Sequence, residues 1–267
     1  MPRPVRVGRF VVASVVGHGL AAATVAVAPT LWPWVVGAVV VDHAALVLGG
    51  LLPRSSLLAP TRVRLPAAAA ARGEVALTFD DGPDPEVTPE VLRLLAAAGA
   101  RATFFPIGRM AATHPDLLRL VVEAGHDLGN HTWSHPGHFW FLSPSALGRE
   151  IDRAQEVASA AGSTPRWFRA PAGIRSPWLE PVLAARGLRL CAWTRRGFDT
   201  VRTDAAAMAR HLVGDLAAGD ILLLHDGSGA RTAAGRPVVL EVLPRVLEAV
   251  TAAGLKPVGL SARNDQP

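Results

Sequence analysis

Cysteine occurs once in the 267 residues, tyrosine not at all, and lysine once against 26 arginines. The single Cys191 excludes an internal disulfide framework and a cysteine-rich zinc site. Lying in the apolar stretch 188–193, it reads as an inert buried thiol. The shortage of tyrosine and lysine is a compositional bias and assigns no task. Basic charge is also scarce where a polyanion would need it. The formal net charge of +5 comes from residues 1–73, which carry seven arginines and one acid, Asp42, while the 20 basic and 21 acidic residues that follow nearly cancel. Nucleic acid is therefore not expected as a partner.

Long apolar runs, in contrast, are present. Residues 10–28 and 31–52 are almost continuously apolar, each close to the roughly 20 residues that cross a bilayer as a helix. Pro29 and Thr30 separate them, and Trp32 and Trp34 stand where a membrane interface would lie. Arg3, Arg6 and Arg9 precede the first run and Arg54, Arg62 and Arg64 follow the second, with no charge in the turn. A membrane hairpin with both ends in the cytoplasm is the expectation. Two alternatives stand beside it. Ala26-Val27-Ala28 has the form of a signal-peptide cleavage site, which would leave a single crossing with an exported domain, and the runs could instead lie on a membrane surface. Asp42 and His43 fall inside the second run, where ionisable groups are costly and need a partner. Pairing within the hairpin or against the soluble part is expected, with a lipid-linked substrate as the other reading.

Residues 1–53 thus read as the anchor, 54–73 as a linker and 261–267 as a tail. Between the last two, short apolar strands at 74–78, 102–105, 127–130, 167–169, 188–193, 221–225 and 256–259 alternate with helical stretches at 89–98, 115–124, 144–161, 177–186, 205–217 and 238–253. Thr88-Pro89, Ser143-Pro144 and Ser176-Pro177 look like capped helix starts, and Gly99, Gly125, Gly187 and Gly254 like helix ends. This alternation predicts an α/β fold, a distorted (β/α) barrel of about seven parallel strands over residues 74–260. In such folds chemistry collects at the C-terminal strand ends.

Polar clusters occupy those ends. Asp80 and Asp81 close the first strand, and adjacent carboxylates repel unless cations or hydrogen-bond donors share the load. Asn130 to His135 follow the third strand, Arg169 to Gly173 the fourth, Gly197 to Asp199 the fifth, and His225-Asp226 ends the sixth. His131 and His135 are spaced i, i+4, which would place both imidazoles on one face of a helical turn. With one carboxylate they make a two-histidine, one-aspartate set, the donor pattern of a catalytic zinc site.

Thr78-Phe79-Asp80-Asp81-Gly82-Pro83, Gly129 to His135, Arg169-Ala170-Pro171-Ala172-Gly173 and Leu222 to Asp226 resemble, in order, the motifs of the polysaccharide deacetylase family, the NodB-homology or carbohydrate esterase 4 group. The resemblance, which covers about residues 74–260, implies a hydrolase that removes the N-acetyl group of an amino sugar in a glycan; the apolar N-terminal runs add the membrane as a partner and a lipid-linked saccharide as a form of the substrate. A deformylase or deacylase of a lipid-linked amino sugar, and a non-catalytic glycan-binding scaffold, are the rival readings. Asp81, His131 and His135 would hold a divalent metal, zinc by default, with cobalt, nickel or manganese as alternatives. Asp80 would be the general base, paired with Arg169, and His225 the general acid, oriented by Asp199. Pro171, Ala172 and Leu223 would contact substrate, the Ala172 backbone N–H facing the oxyanion and Leu223 the acyl methyl. Two departures affect substrate shape: the family often has an aromatic residue where Ala172 stands and a tryptophan where Thr200 stands.

Overall fold

The computed structural model describes residues 2–261, so the expected tail lies outside the described residues apart from Ser261. In chain order the elements are α1 (Arg9–Val27), α2 (Trp32–Leu51), α3 (Ala67–Ala71), β1 (Glu74–Asp80), α4 (Thr88–Ala97), β2 (Thr103–Phe105), α5 (Gly108–Thr113), α6 (Pro115–Glu123), β3 (Asp127–Leu128), α7 (Pro144–Ala160), β4 (Trp167–Phe168), α8 (Leu179–Ala185), β5 (Arg189–Leu190), β6 (Arg195–Arg196), α9 (Ala205–Val213), β7 (Ile221–His225), α10 (Val239–Ala252) and β8 (Lys256–Val258). The β/α alternation expected from the sequence is present, with three short elements (α3, α5 and β6) that the apolar pattern did not separate.

All the ladders are parallel. One sheet runs β3-β2-β1-β7-β6 with β8 also on β1, and β4-β5 form a second pair. A one-residue parallel bridge between Asn130 and Phe168 joins the two. Among the described residues no ladder links β5 to β6; the segment carrying Arg62 and Leu65 lies beside β5 and bonds the Gly219 carbonyl instead. Only residues 191–194 separate those strands, and Thr194 N–H turns to the Ile221 carbonyl at 3.0 Å.

Strand periodicity decides which side chains can meet at the site. β1 and β7 are buried throughout, and alternate residues face opposite sides. Leu77 and Phe79 of β1 join Leu222 and Leu224 of β7 in the core under α4, α9 and α10. Ala76, Ile221 and Leu223 pack on the other side with Phe105, Trp167 and Trp193. Thr78 and Asp80 share the face of Ala76, and His225 shares that of Leu223. The apolar core, worth about 1.5–3 kcal/mol per fully buried Leu or Phe, thus forces Asp80 and His225 inward.

Local signals also operate, though not all as the sequence suggests. Ser143 caps α7 by accepting from Ala146 N–H, and Gly99 and Gly187 end helices at φ 59° and 71°, values that glycine adopts without penalty. Thr88 is not a side-chain cap: α4 begins on it, and its hydroxyl donates to Asp226 at 2.7 Å. Ser176-Pro177 does not open a helix either, since α8 starts at Leu179.

α1 and α2 form an antiparallel hairpin, and the segments 9–27 and 29–51 have mean hydropathies of 2.0 and 1.8, long and apolar enough to cross a membrane. Inside it Ser14 Oγ donates to Asp42 Oδ2 at 2.7 Å and His18 Nδ1 lies 3.9 Å from Asp42. Asp42 thus finds a hydrogen-bond partner, Ser14, within the hairpin, with His18 beside it. The foot of the hairpin is built into the α/β unit. Arg3 makes a two-pronged pair with Glu180 at 2.6 and 2.9 Å. Arg175 donates to the carbonyls of Gly49, Leu52 and Ser55 at 3.2, 2.9 and 2.8 Å. A cation there answers the unsatisfied carbonyls at the C-terminus of α2. Burial without a facing acid pulls the Arg175 pKa down to about 10. Replacing Arg175 by methionine is expected to lower stability by about 1–3 kcal/mol for each carbonyl left unpartnered, read by denaturant unfolding in detergent. The stretch 54–73, expected as a linker, is packed: Arg62 bridges to Cys191 and Leu65 N–H bonds the Gly219 carbonyl.

Candidate active site

The strand ends converge on a cavity of about 320 Å³ lined by Asp80, Asp81, His131, His135, Ala172, Trp193, Arg196, Thr200, Leu223 and His225, among others. Arg169 and Asp199 stand behind its wall, both fully buried. Pro171 is buried beside it, outside the lining. A larger cavity of about 540 Å³ lies against the N-terminal segment and residues 60–64, away from these acids and histidines.

Asp80 is anchored by Arg169. The guanidinium donates to Asp80 Oδ1 at 2.6 Å, to Thr78 Oγ1 at 2.9 Å and to the Ala192 carbonyl at 3.1 Å. It also stacks 4.3 Å from the Phe105 ring centre. Asp80 Oδ2 points toward His131, 3.9 Å from Nε2. Thr78 was missed in the sequence as a site residue, although its place two residues before Asp80 on an inward face is the signal that could have found it.

His131 and His135 come together by a different route from the helical turn expected. Residues 131–136 are irregular, with Thr132 at φ 69° and His135 at φ 51°. The loop is held by side chains: Asn130 Oδ1 accepts from Thr132 N–H, Thr132 Oγ1 accepts from His135 N–H, and Glu150 of α7 accepts from Ser134 N–H and Oγ. The ring centres end 4.9 Å apart. An i, i+4 spacing is satisfied equally by a helix and by this loop, so spacing alone did not distinguish them.

Both ring Nε2 atoms face Asp81 Oδ1, at 3.4 and 3.6 Å. His131 Nδ1 lies 2.8 Å from the Arg169 carbonyl; donating there leaves Nε2 as a lone pair, the usual arrangement of a ligating histidine. Asp81 Oδ1 is buried without a hydrogen-bond partner among the described residues. A partnerless acceptor beside two ring nitrogens, all ligand atoms within 4.8 Å of one another, suits a divalent cation. Burial raises the Asp81 carboxyl, but the neighbouring His131 imidazole, with His225 and His135, outweighs it and holds it at about 2. Burial lowers both imidazoles; Asp80 and Asp81 more than offset it at His131, whereas His135 stays lowered beside His131.

His225 is positioned by Asp199 at two points. Its backbone N–H donates to Oδ2 at 2.7 Å, and its Nδ1 lies 2.8 Å from Oδ1. Burial pulls its pKa down, but the hydrogen bond and charge of Asp199, with Asp80 and Asp81, leave it raised. Asp226, next in sequence, is buried under the first strand end, and burial pushes its carboxyl up to about 7 against the bond from Thr88. Cys191 is buried and raised to about 12, the inert thiol expected. Ala172 (φ 52°) and Thr200, the two positions of departure, both line the cavity. Arg196, also in the lining, was not foreseen.

An acid gripped by an arginine and an imidazole gripped by an acid, opening on one cavity with a donor set for a cation, are the equipment of a hydrolase. The polysaccharide deacetylase family profile matches residues 68–191. A chitooligosaccharide deacetylase of Sinorhizobium fredii is 38% identical over 171 residues, 61% of this chain and 76% of that protein. A peptidoglycan-N-acetylglucosamine deacetylase of Bacillus cereus is 34% identical over 160 residues, 59% of this chain and 75% of that protein. The family 4 carbohydrate esterase from Streptomyces lividans, solved in complex with acetate, superposes with a TM-score of 0.63 at 34% identity, covering 69% of this chain and 91% of that one. The chain belongs to the polysaccharide deacetylase family, and it is a hydrolase of carbon–nitrogen bonds other than peptide bonds.

Proposed function

We propose that this chain removes the acetyl group from N-acetylglucosamine units of a glycan or lipid-linked saccharide at a divalent-metal site formed by Asp81, His131 and His135. The observation that carries the reading is the opening of the Asp80–Arg169 and His225–Asp199 pairs on one cavity with those three residues. The names of the relatives, which specify deacetylation of chitooligosaccharide and of peptidoglycan N-acetylglucosamine, support the substrate class.

The roles proposed are those that the family resemblance implies, and the geometry of the two pairs supports them. Asp80, acceptor-only and fixed by Arg169, takes the proton of the attacking water. His225, kept protonated by Asp199, gives a proton to the departing nitrogen, so that acetate and a free amine leave. Leu223 beside the acids is the wall for the acyl methyl, and the Ala172 N–H is the oxyanion donor. A cation on the three ligands, zinc by default, would supply Lewis acidity to the carbonyl and water.

Residues 1–53 are the proposed membrane anchor and 74–260 the catalytic unit, on the cytoplasmic side by the arginine distribution. The contact of the hairpin foot with the site favours a lipid-linked substrate: a Cβ at Gly173, in the loop that carries Ala172, would lie 2.6 Å from Pro53. The full chain in detergent, supplied with zinc or cobalt, is expected to release acetate from N-acetylglucosamine oligomers and from a lipid-linked N-acetylamino sugar. His131→Ala is expected to lose both the bound metal and the activity. Undiminished acetate release by a metal-free preparation would overturn the metal assignment. A C-terminal reporter active only outside the cytoplasm would overturn the topology.

A further inference from the structure

We infer that the cavity contains a subsite for an anionic substituent, phosphate or carboxylate, carried by the amino sugar, with Arg196 as the residue that reads it. The inference rests on the proposed amino-sugar substrate and adds a requirement to it.

β6 consists of two arginines with different uses. Arg195 is consumed by the fold, donating to Asp220 at 3.0 Å and to the Leu212 carbonyl at 3.4 Å. Arg196, facing the other way by strand alternation and paired in register with Leu223, lines the catalytic cavity. Its guanidinium carbon lies 5.7 Å from the Trp193 ring centre and 5.1 Å from that of Phe198, so two aromatic rings hold it in place. Its Nε is buried and has no hydrogen-bond partner among the described residues.

The charges around it leave Arg196 unmatched. Asp80 is taken by Arg169, Asp81 faces two imidazoles, and Asp199 is bound at both oxygens by His225. A cation beside already matched acids, with a planar array of donors, suits an anion on the ligand. A neutral glycan would leave Nε without an acceptor in a buried place, which is costly.

The small side chains Ala172 and Thr200 line the same cavity and leave room for such a group. Trp193, the platform for Arg196, would lie 2.8 Å from a Cβ at Gly173, whose other neighbour is Pro53 at the hairpin foot. The anion subsite therefore lies on the side of the cavity that adjoins the hairpin. This placement favours a phosphate joining sugar to lipid over a carboxylate on the sugar.

The experiment compares binding and turnover with the full-length metal-loaded protein in detergent. Calorimetric titration with glucosamine, glucosamine 1-phosphate and glucosaminuronate is expected to show tighter binding of an anionic ligand by about 10- to 100-fold. Arg196→Met, which keeps an apolar stem between the rings, is expected to erase that ratio, and Arg196→Lys to restore part of it. Turnover of N-acetylglucosamine 1-phosphate against N-acetylglucosamine should show the same preference, mainly in KM. A preference for the phosphate ligand supports the lipid-phosphate form and one for the uronate the carboxylate form. Equal affinity for all three ligands overturns the inference, as does a preference that Arg196→Met leaves intact. If the variant fails to fold, the wild-type affinity ratio and its decline with salt still decide. Anion-dependent binding without any deacetylation would sink the proposed reaction and leave the subsite standing.

Discussion

Asp80→Asn is expected to lower kcat for acetate release by about 10²- to 10⁴-fold while the protein still binds one metal ion. An asparagine side chain cannot take the water's proton, and the three proposed ligands, Asp81, His131 and His135, remain. Because Arg169 is fully buried, the substitution also strands a cation. Removing one member of a buried pair costs about 3–5 kcal/mol, so thermal stability should fall with activity. The bond from Arg169 to Asp80 is one of three polar contacts of its guanidinium, so Thr78 and Ala192 hold part of its charge and keep the loss near the lower end. Turnover is therefore measured well below the unfolding transition, alongside metal content. Wild-type kcat in Asp80→Asn would remove Asp80 from the role of base.

Asp199→Asn carries the second large effect, and it is read in a pH profile. The acid that protonates the leaving nitrogen must hold its proton when the amide breaks. Burial alone lowers the His225 pKa, and Asp199 is the foremost of the groups that reverse this. In the native enzyme the alkaline limb of kcat is therefore expected above the ordinary imidazole value of 6.5. In Asp199→Asn that limb should move to lower pH, and kcat near neutrality should fall by about 10²- to 10⁴-fold. The same pairing affects stability with a definite sign. A histidine with a raised folded pKa contributes fully below pH 6.5 and loses that contribution as pH rises through the folded value. Native stability should thus decline across that window and the variant's should decline less. An alkaline limb that stays in place would show that Asp199 does not govern the acid.

Much of the site could be read in the sequence because it rests on local rules. Two acids at the end of a buried strand, histidines four apart and an Arg-x-Pro segment are compact signals, and period-2 alternation sends Asp80 inward with Thr78. Other features were not readable. The i, i+4 spacing of His131 and His135 suggested a helical turn, but Asn130, Thr132 and Glu150 fix an irregular loop instead. Thr88 looked like a cap and serves Asp226, a residue 138 positions away. Ser176-Pro177 looked like a helix start, yet the adjacent Arg175 is engaged by the hairpin foot and the helix begins later.

The sequence by itself determined the α/β alternation, the two apolar N-terminal segments, the family and the residues equipped for the chemistry. These depend on composition, short spacing and strand period, all encoded within a few neighbouring residues. Only the tertiary structure revealed the contacts that no motif implied: Thr78 with Arg169, Thr88 with Asp226, the hairpin foot with the site loop, and Arg196 with the cavity. Such pairings join segments separated by tens of residues. They depend on strand register and on where buried polar groups can find acceptors, neither of which a local pattern specifies.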